Sequence, residues 1–233
     1  MGHVQSVFAL PQTAAPITES CQPDLARLVQ GGRHRRLAAG ESLWFAGERA
    51  SHFAVLESGI VQIRRMTPTG EGIVIGLFRS GEAIGLAAAL EDVAYPADAI
   101  AVGGPVDVLA IRADTLRESL RSSIDVGLAV NRALLQHSAA LRAKIDIISA
   151  GSVPRRLAAL MHYLIERFGR TTDLGGILVD VHLAREDIAQ LVSARVETVI
   201  RILSRWQKAG WITPRPGGIE IQRIDMLRRI IEP

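Results

Sequence analysis

Residues 183–206, LAREDIAQLVSARVETVIRILSRW, carry two apolar stripes of helical period separated by a short turn, a pattern that reads as a helix-turn-helix. Ile188, Leu191 and Val192 give the first helix its apolar face, and Val199, Ile202, Leu203 and Trp206 give the second one a face at i, i+3, i+4, i+7. Opposite that second face stand Glu197, Thr198, Arg201, Arg205 and Lys208. A helix that buries one side and offers carboxylate, hydroxyl and guanidinium groups on the other suits a DNA major groove, where arginine can bond guanine O6/N7 and glutamate can accept from cytosine N4.

The rest of the chain falls into three textures. Residues 1–22, with Pro11 and Pro16, show no sustained period and read as a tail, and Asp24 to Leu28 suggests a short helix. From Leu37 to Ile111, short apolar runs such as Phe53-Ala54-Val55-Leu56 and Ile60-Val61-Gln62-Ile63 are broken by glycines, which predicts antiparallel strands closing into a β-roll or jelly roll. Gly70-Glu71-Gly72 within it is a hairpin turn rather than a dinucleotide fingerprint, because a β-branched run follows where a helix should start. Thr115 onward becomes helical, and a heptad-like seam runs through Ile124, Gly127, Asn131, Leu134, Ser138, Leu141, Ile145 and Ile148. Gly151-Ser152 followed by Pro154 marks a hinge. Beyond it, Arg155 to Phe168 reads as an amphipathic helix, Asp173 to Val181 as strand and turn, and Ile212 to Ile221 as a hairpin. The predicted class is α+β: a β-roll over 23–122, a long helix over 123–150 and a winged helix-turn-helix over 151–233.

Composition excludes several functions. The longest strongly apolar stretch, Ala83 to Leu90, is far short of the roughly 20 residues that span a bilayer, and no signal peptide is expected, so the cytoplasm is the expected compartment. A single cysteine, Cys21, rules out an intramolecular disulfide, a CxxC zinc site and an all-cysteine iron–sulfur cluster within one chain. No GxSxG, HExxH or P-loop is present, and no enzyme is expected. Residues 152–233 hold 13 Lys/Arg against 9 Asp/Glu, whereas residues 1–151 hold 14 against 15. The basic excess thus coincides with the helix-turn-helix, as attraction to phosphates requires.

Val196-Glu197-Thr198-Val199-Ile200-Arg201 closely resembles the recognition helix of the Crp/Fnr family of bacterial transcription regulators, particularly its Fnr branch. The resemblance extends over nearly the whole chain, to the glycine-punctuated β-roll, the long helix and a wing ending in Gly218-Ile219-Glu220-Ile221. It implies a cyclic-nucleotide-binding-like β-roll and a homodimer formed through the long helix. It also implies a palindromic TGA-containing operator, and RNA polymerase as a partner if the protein activates. By the same resemblance Glu197 and Arg201 read base edges, with Glu197 also able to hold Arg201 in its reading rotamer. Arg185, Thr198, Arg195 and Arg215 contact phosphates, and Ile124, Asn131, Leu134, Ser138, Leu141, Ile145 and Ile148 form the dimer seam. The chain departs from the family at Val196, where the cyclic-AMP branch has arginine, and at Ser193 and Arg195, where a turn glycine and a hydroxyl cap are usual. Ala184 likewise replaces a usual threonine cap.

The sensor half departs further. Leu86 stands where the family's ribose-binding carboxylate belongs, and no arginine lies between Arg79 and Arg112 to hold a cyclic phosphate, so cyclic AMP is not an expected ligand. Leu86, Ala87 and Leu90 outline an apolar region open to two readings, a pocket for a hydrophobic effector or packed core. The six histidines (His3, His34, His52, His137, His162, His182) offer no ligand-pair spacing; no metal or cofactor is expected, and haem ligation stays open as an alternative. Two other functions compete: a constitutive, non-sensing DNA-binding dimer, and a cupin-like metalloenzyme fused to a DNA-binding domain, which would need paired histidines on a barrel strand.

Overall fold

The computed structural model describes residues 25–231 apart from 30, 69, 71 and 174. The predicted tail, Asp24 and Cys21 lie outside the described residues. The chain opens with α1 (Leu25–Leu28), then β1 (Arg33–Leu37), β2 (Ser42–Trp44), β3 (His52–Met66), β4 (Gly72–Arg79), β5 (Ala83–Ile84), α2 (Leu86–Glu91) and β6 (Asp98–Arg112). These strands form an antiparallel sheet of order β1-β6-β3-β4, with β2 on β6 and β5 on β3. β3 and β6 are both 15 residues long, and their register shifts between Leu56 and Ser58 and again between Ser58 and Ile60. Such bulges bend a ribbon, which lets two long strands curl into a roll. Gly59 sits in the bent stretch at φ +76°, where a Cβ would meet the Pro105 carbonyl oxygen at 2.6 Å, so no other residue fits.

α3 (Ala113–Ser122) and α4 (Ile124–Ser149) follow, divided at Ser123, whose hydroxyl accepts from the Val126 amide. The inward face of α4 is made of small residues, Ala129, Ala133 and Ala140, with Val126, Val130 and Ile147, and packs closely on the roll. Its outward face differs in phase from the heptad reading. The exposed large apolar side chains are Ile124, Leu128, Leu135, Leu141, Ile145 and Ile148, with Asn131 exposed among them and Ser138 half-buried. Leu134 turns inward against the Phe53/Val130 cluster, and a Cβ on Gly127 would face Leu120 of α3. A straight helix repeats every 3.6 residues, so its outward stripe drifts away from a strict heptad over 26 residues. Leu128 and Leu135 thereby make the first half of the stripe apolar.

The last part contains α5 (Val153–Phe168), β7 (Gly169–Thr171), β8 (Ile177–Val179), α6 (Arg185–Leu191), α7 (Val196–Lys208), β9 (Ile212–Arg215), β10 (Gly218–Ile221) and α8 (Ile224–Ile231), with a second sheet of order β7-β8-β10-β9. This is a winged helix-turn-helix, and the whole fold is α+β. α8 was not anticipated; Leu227 is buried and Ile224, Ile230 and Ile231 are partly so. The core of this part is continuous with the roll, because Val74 and Leu77 of β4 and Ile147 of α4 belong to the same buried cluster as Leu160, Val199 and Trp206. One buried cluster therefore spans both parts, with β4 contributing to each.

Candidate nucleic-acid interface

α7 buries Val199, Ile202, Leu203 and Trp206 and leaves Glu197, Ile200, Arg201, Ser204, Arg205 and Lys208 exposed. Glu197 lies in the first turn, where the helix dipole favours a carboxylate, and Arg205 and Lys208 lie in the last, where it favours cations. Among the described residues no ion pair or hydrogen bond engages the side chains of Glu197, Arg201, Arg205 or Lys208. The i,i+4 contact expected between Glu197 and Arg201 is thus not formed, and both groups face outward uncommitted.

The turn into α7 is left-handed at a residue that is not glycine. Ser193 takes φ +50°, a left-handed conformation that costs a non-glycine residue roughly 1 kcal/mol or more. A residue from another helix supports it: Arg156 of α5 donates through Nη1 to the Val192 and Ser193 carbonyls at 3.2 and 3.0 Å, and through Nε to Gly151 O at 2.8 Å. Arg195 caps α7 without a side-chain bond. At α6, Ala184 offers no hydroxyl, but the Asp187 carboxylate accepts from the Ala184 amide at 3.1 Å, which is half of a capping box.

The predicted phosphate-contacting residues are spread over two grooves. Arg185 and Arg215 line a groove of about 290 Å³ between the start of α6 and the β9–β10 wing. Arg195 lines another, of about 550 Å³, between the α6–α7 turn and β4 at Gly72 and Ile73. Thr198 is half-buried on α7. Arg215 is committed elsewhere: its Nε and Nη2 donate to Glu220 Oε2 at 2.8 and 2.6 Å, while Thr172 donates to Oε1 at 3.1 Å. Glu220 is buried, and the Arg215 guanidinium, with Thr172, holds its carboxyl below the usual range. The wing arginine therefore neutralises an internal charge before it can meet a phosphate.

The helix-turn-helix is fastened to the roll by polar contacts that sequence patterning did not reveal. Arg167 of α5 donates through Nη2 to both oxygens of Glu82 at 2.7 Å, with the two side chains only 20% and 11% exposed, and Arg79 Nη1 donates to Arg167 O at 2.6 Å. Gln62 of β3 donates to Asp187 at 3.2 Å. Lys144 of α4 donates to the carbonyls of Gln190 and Leu191, at the end of α6, at 2.8 and 2.6 Å. The same seam holds Gln62 Oε1, Gln190 Oε1 and Arg167 Nε buried without partners. Unsatisfied polar groups lower the stability of a contact.

Burial pushes the Lys144 ammonium from its usual 10.5 down to about 8. Between those values the unfolded chain binds more protons than the folded one, so stability rises with pH across that window and the burial penalty is fully present below it. We expect the wild type to gain stability relative to Lys144→Met as pH is raised from about 8 toward 10, measured by urea midpoints. A pH-independent difference would place the ammonium in water.

Within the roll, a cavity of about 260 Å³, open to solvent on one side, is lined by Trp44, Phe78, Ile84, Leu86, Tyr95 and His137, with the half-exposed Leu141 of α4 also lining it. Trp44 and Tyr95 stack at 4.1 Å, and Gly85, at φ +74°, lets the chain pass 2.8 Å from the Trp44 ring at its Cβ position. Leu86 and Ala87 line the cavity, with Leu86 also part of a packed cluster; Leu90 packs toward α1, α3 and α4. His137 was not singled out as a pocket residue. It donates through Nε2 to Ala83 O and meets Phe78 edge-on. Among the described residues no group of three or more His, Cys, Asp or Glu side chains could hold a metal ion.

A β-roll with an internal cavity, joined by a long helix to a winged helix-turn-helix with an uncommitted polar recognition face, defines a DNA-binding transcription regulator. Two family models match the chain, the cyclic nucleotide-binding domain over residues 34–123 and the Crp-like helix-turn-helix domain over residues 155–230. The chain is 24% identical over 220 residues to the CRP-like cAMP-activated global transcriptional regulator of Mycobacterium tuberculosis, covering 94% of this chain and 92% of that one. It is 23% identical over 198 residues to the fumarate and nitrate reduction regulatory protein of Escherichia coli, covering 85% and 78%. Its fold matches a CRP-family transcriptional regulator of Thermus thermophilus with a TM-score of 0.71 at 23% identity, covering 85% of this chain and 97% of that one. FixK2 of Bradyrhizobium japonicum matches at 0.72 and 15%, covering 86% and 97%. The chain belongs to the Crp/Fnr family of transcription regulators. Its relatives are regulators, not enzymes, and among the described residues no helix is long and apolar enough to cross a membrane.

Proposed function

We propose that this chain acts in the cytoplasm as a homodimeric, sequence-specific regulator that binds a palindrome of TGA-containing half-sites, with Glu197 and Arg201 reading base edges. The observation that carries this reading is the outward, unpaired face of α7 beside a fully buried opposite face. Arg185, Arg195 and Thr198 set register on the phosphates; Arg215 contributes by fixing the wing through Glu220. Dimerisation through α4 is supported by the exposed Ile124, Leu128, Leu135, Leu141, Ile145 and Ile148, an apolar stripe longer than a monomer normally leaves in water. A two-fold axis along α4 would present two copies of α7 to half-sites about one helical turn apart. Where the operator lies so as to favour transcription, RNA polymerase would be the further partner.

The effector proposed for the internal cavity is small, uncharged and largely apolar, since its walls offer aromatic rings and one imidazole. A cyclic phosphate there would lose its hydration with no cation to replace it. Haem is a poor fit to a 260 Å³ space whose single histidine is already bonded through Nε2. Selection of binding sites from random DNA tests the main reading. Enrichment of a palindrome with TGA in each half is expected; enrichment of one asymmetric element, or of none, would contradict it.

A further inference from the structure

On the outside of the roll, at the end away from the helix-turn-helix, a groove of about 420 Å³ runs between β1 and the loop joining β2 to β3. Its floor is apolar, made of Leu43, Phe53, Ala54 and Ala110. Its rim is cationic. Side chains of a strand alternate between faces. On one face of β1, His34 and Arg36 are matched by carboxylates, with His34 at 2.9 Å from Glu57 and Arg36 at 3.4 Å from Asp107. Arg33 and Arg35 stand on the other and have no acidic partner among the described residues; Arg35 makes only a 3.5 Å contact with Leu43 O. The groove also holds Arg49, paired with Asp92 at 3.0 Å, and one carboxylate, Glu48.

His52 lies in the same groove with Ser51 Oγ 2.8 Å from its Nδ1. Its pKa is lowered, first by burial and then by the charges of Arg112, Arg35 and Arg33, the last two of which line the same groove as the imidazole. Tyr95, which donates to His52 O, and Trp44 line both this groove and the internal cavity, and their stacked rings form the wall between the two. The groove is distinct from the DNA face. Ten residues of β3, including the bulged stretch from Leu56 to Ile60, separate His52 from Gln62, which touches α6, a span of at most about 30 Å at roughly 3.3 Å per residue.

We propose that this groove is a second ligand site, which takes an oxyanion of the phosphate class on Arg33 and Arg35, apart from the internal cavity. Two guanidinium groups two residues apart on one strand offer parallel N–H donors to a tetrahedral oxyanion, and no neighbouring carboxylate uses them up. The apolar floor gives room for the organic part of a phosphate ester. Occupancy places a negative charge beside His52 and favours its protonated form, giving the site its own signal.

The test titrates the full chain with inorganic phosphate and, separately, phenyl phosphate, following the His52 ring resonances by NMR across pH. A saturable shift at His52 is expected, with its pKa raised by roughly half a unit or more. Arg33→Ala/Arg35→Ala should weaken binding by roughly tenfold or more while leaving the melting temperature unchanged, since both side chains are exposed. Tighter binding of phenyl phosphate would point to an ester as the natural ligand, and equal binding to free phosphate. No shift, a shift that never saturates, a shift the double variant retains, or binding seen by calorimetry without a response at His52 would overturn the proposal.

Discussion

Arg167→Ala should destabilise the protein by roughly 3 kcal/mol, the lower end of the range for removing one partner of a buried ion pair. The Glu82 side chain is 11% exposed and, among the described residues, would keep only the Arg79 amide, at 2.9 Å, as a donor. The substitution also removes the guanidinium from over the rings of Tyr163 and Phe168. For a chain of this size the loss corresponds to a fall of roughly 10 °C in melting temperature. Replacing both partners, as Glu82→Leu/Arg167→Met, should recover much of it, because the penalty lies in the orphaned carboxylate and not in the absence of the pair. A single substitution that left the melting temperature within a degree or so would show that the carboxylate is solvated and that Arg167 does not fasten the helix-turn-helix to the roll.

Arg201→Ala should cost roughly 1–3 kcal/mol on the selected operator and relax preference at one base pair of each half-site, because a lost bidentate contact to a guanine edge is felt only where that guanine is present. On random duplex DNA the loss should be far smaller. Arg185→Ala should instead weaken all sequences alike and flatten the dependence of affinity on salt by about one unit. The reason for the contrast is positional: Arg201 projects from the exposed face of α7, whereas Arg185 lines the groove between α6 and the wing. Anisotropy titrations of both variants on specific and random duplexes separate the roles. Equal losses for Arg201→Ala on the two duplexes would remove it from base reading.

The recognition helix was legible because its information is local: four apolar residues at helical spacing and a polar face fall within 13 residues. The roll was legible through its glycines and short apolar runs. The fastening between roll and helix-turn-helix was not, because Arg167–Glu82, Lys144–Gln190 and Gln62–Asp187 join residues 85, 46 and 125 positions apart and leave no periodic trace. The outward stripe of α4 was half legible. A heptad template finds Ile124, Leu141, Ile145 and Ile148 but swaps Leu134 for Leu135, since one residue of drift moves a side chain by about 100° around a helix. The Arg215–Glu220 pair was hidden for a related reason. Position in the wing suggested a phosphate contact, while the competing partner, Glu220, becomes visible only once the hairpin register is known.

The most direct measurement is the affinity of the purified chain for a palindromic TGA-containing duplex against a scrambled duplex of the same composition, at physiological salt. Sequence-specific reading by α7 predicts a preference of roughly a thousandfold or more for the palindrome. Equal affinity for the two duplexes would contradict it, and would reduce the basic half of this chain to a phosphate-binding surface.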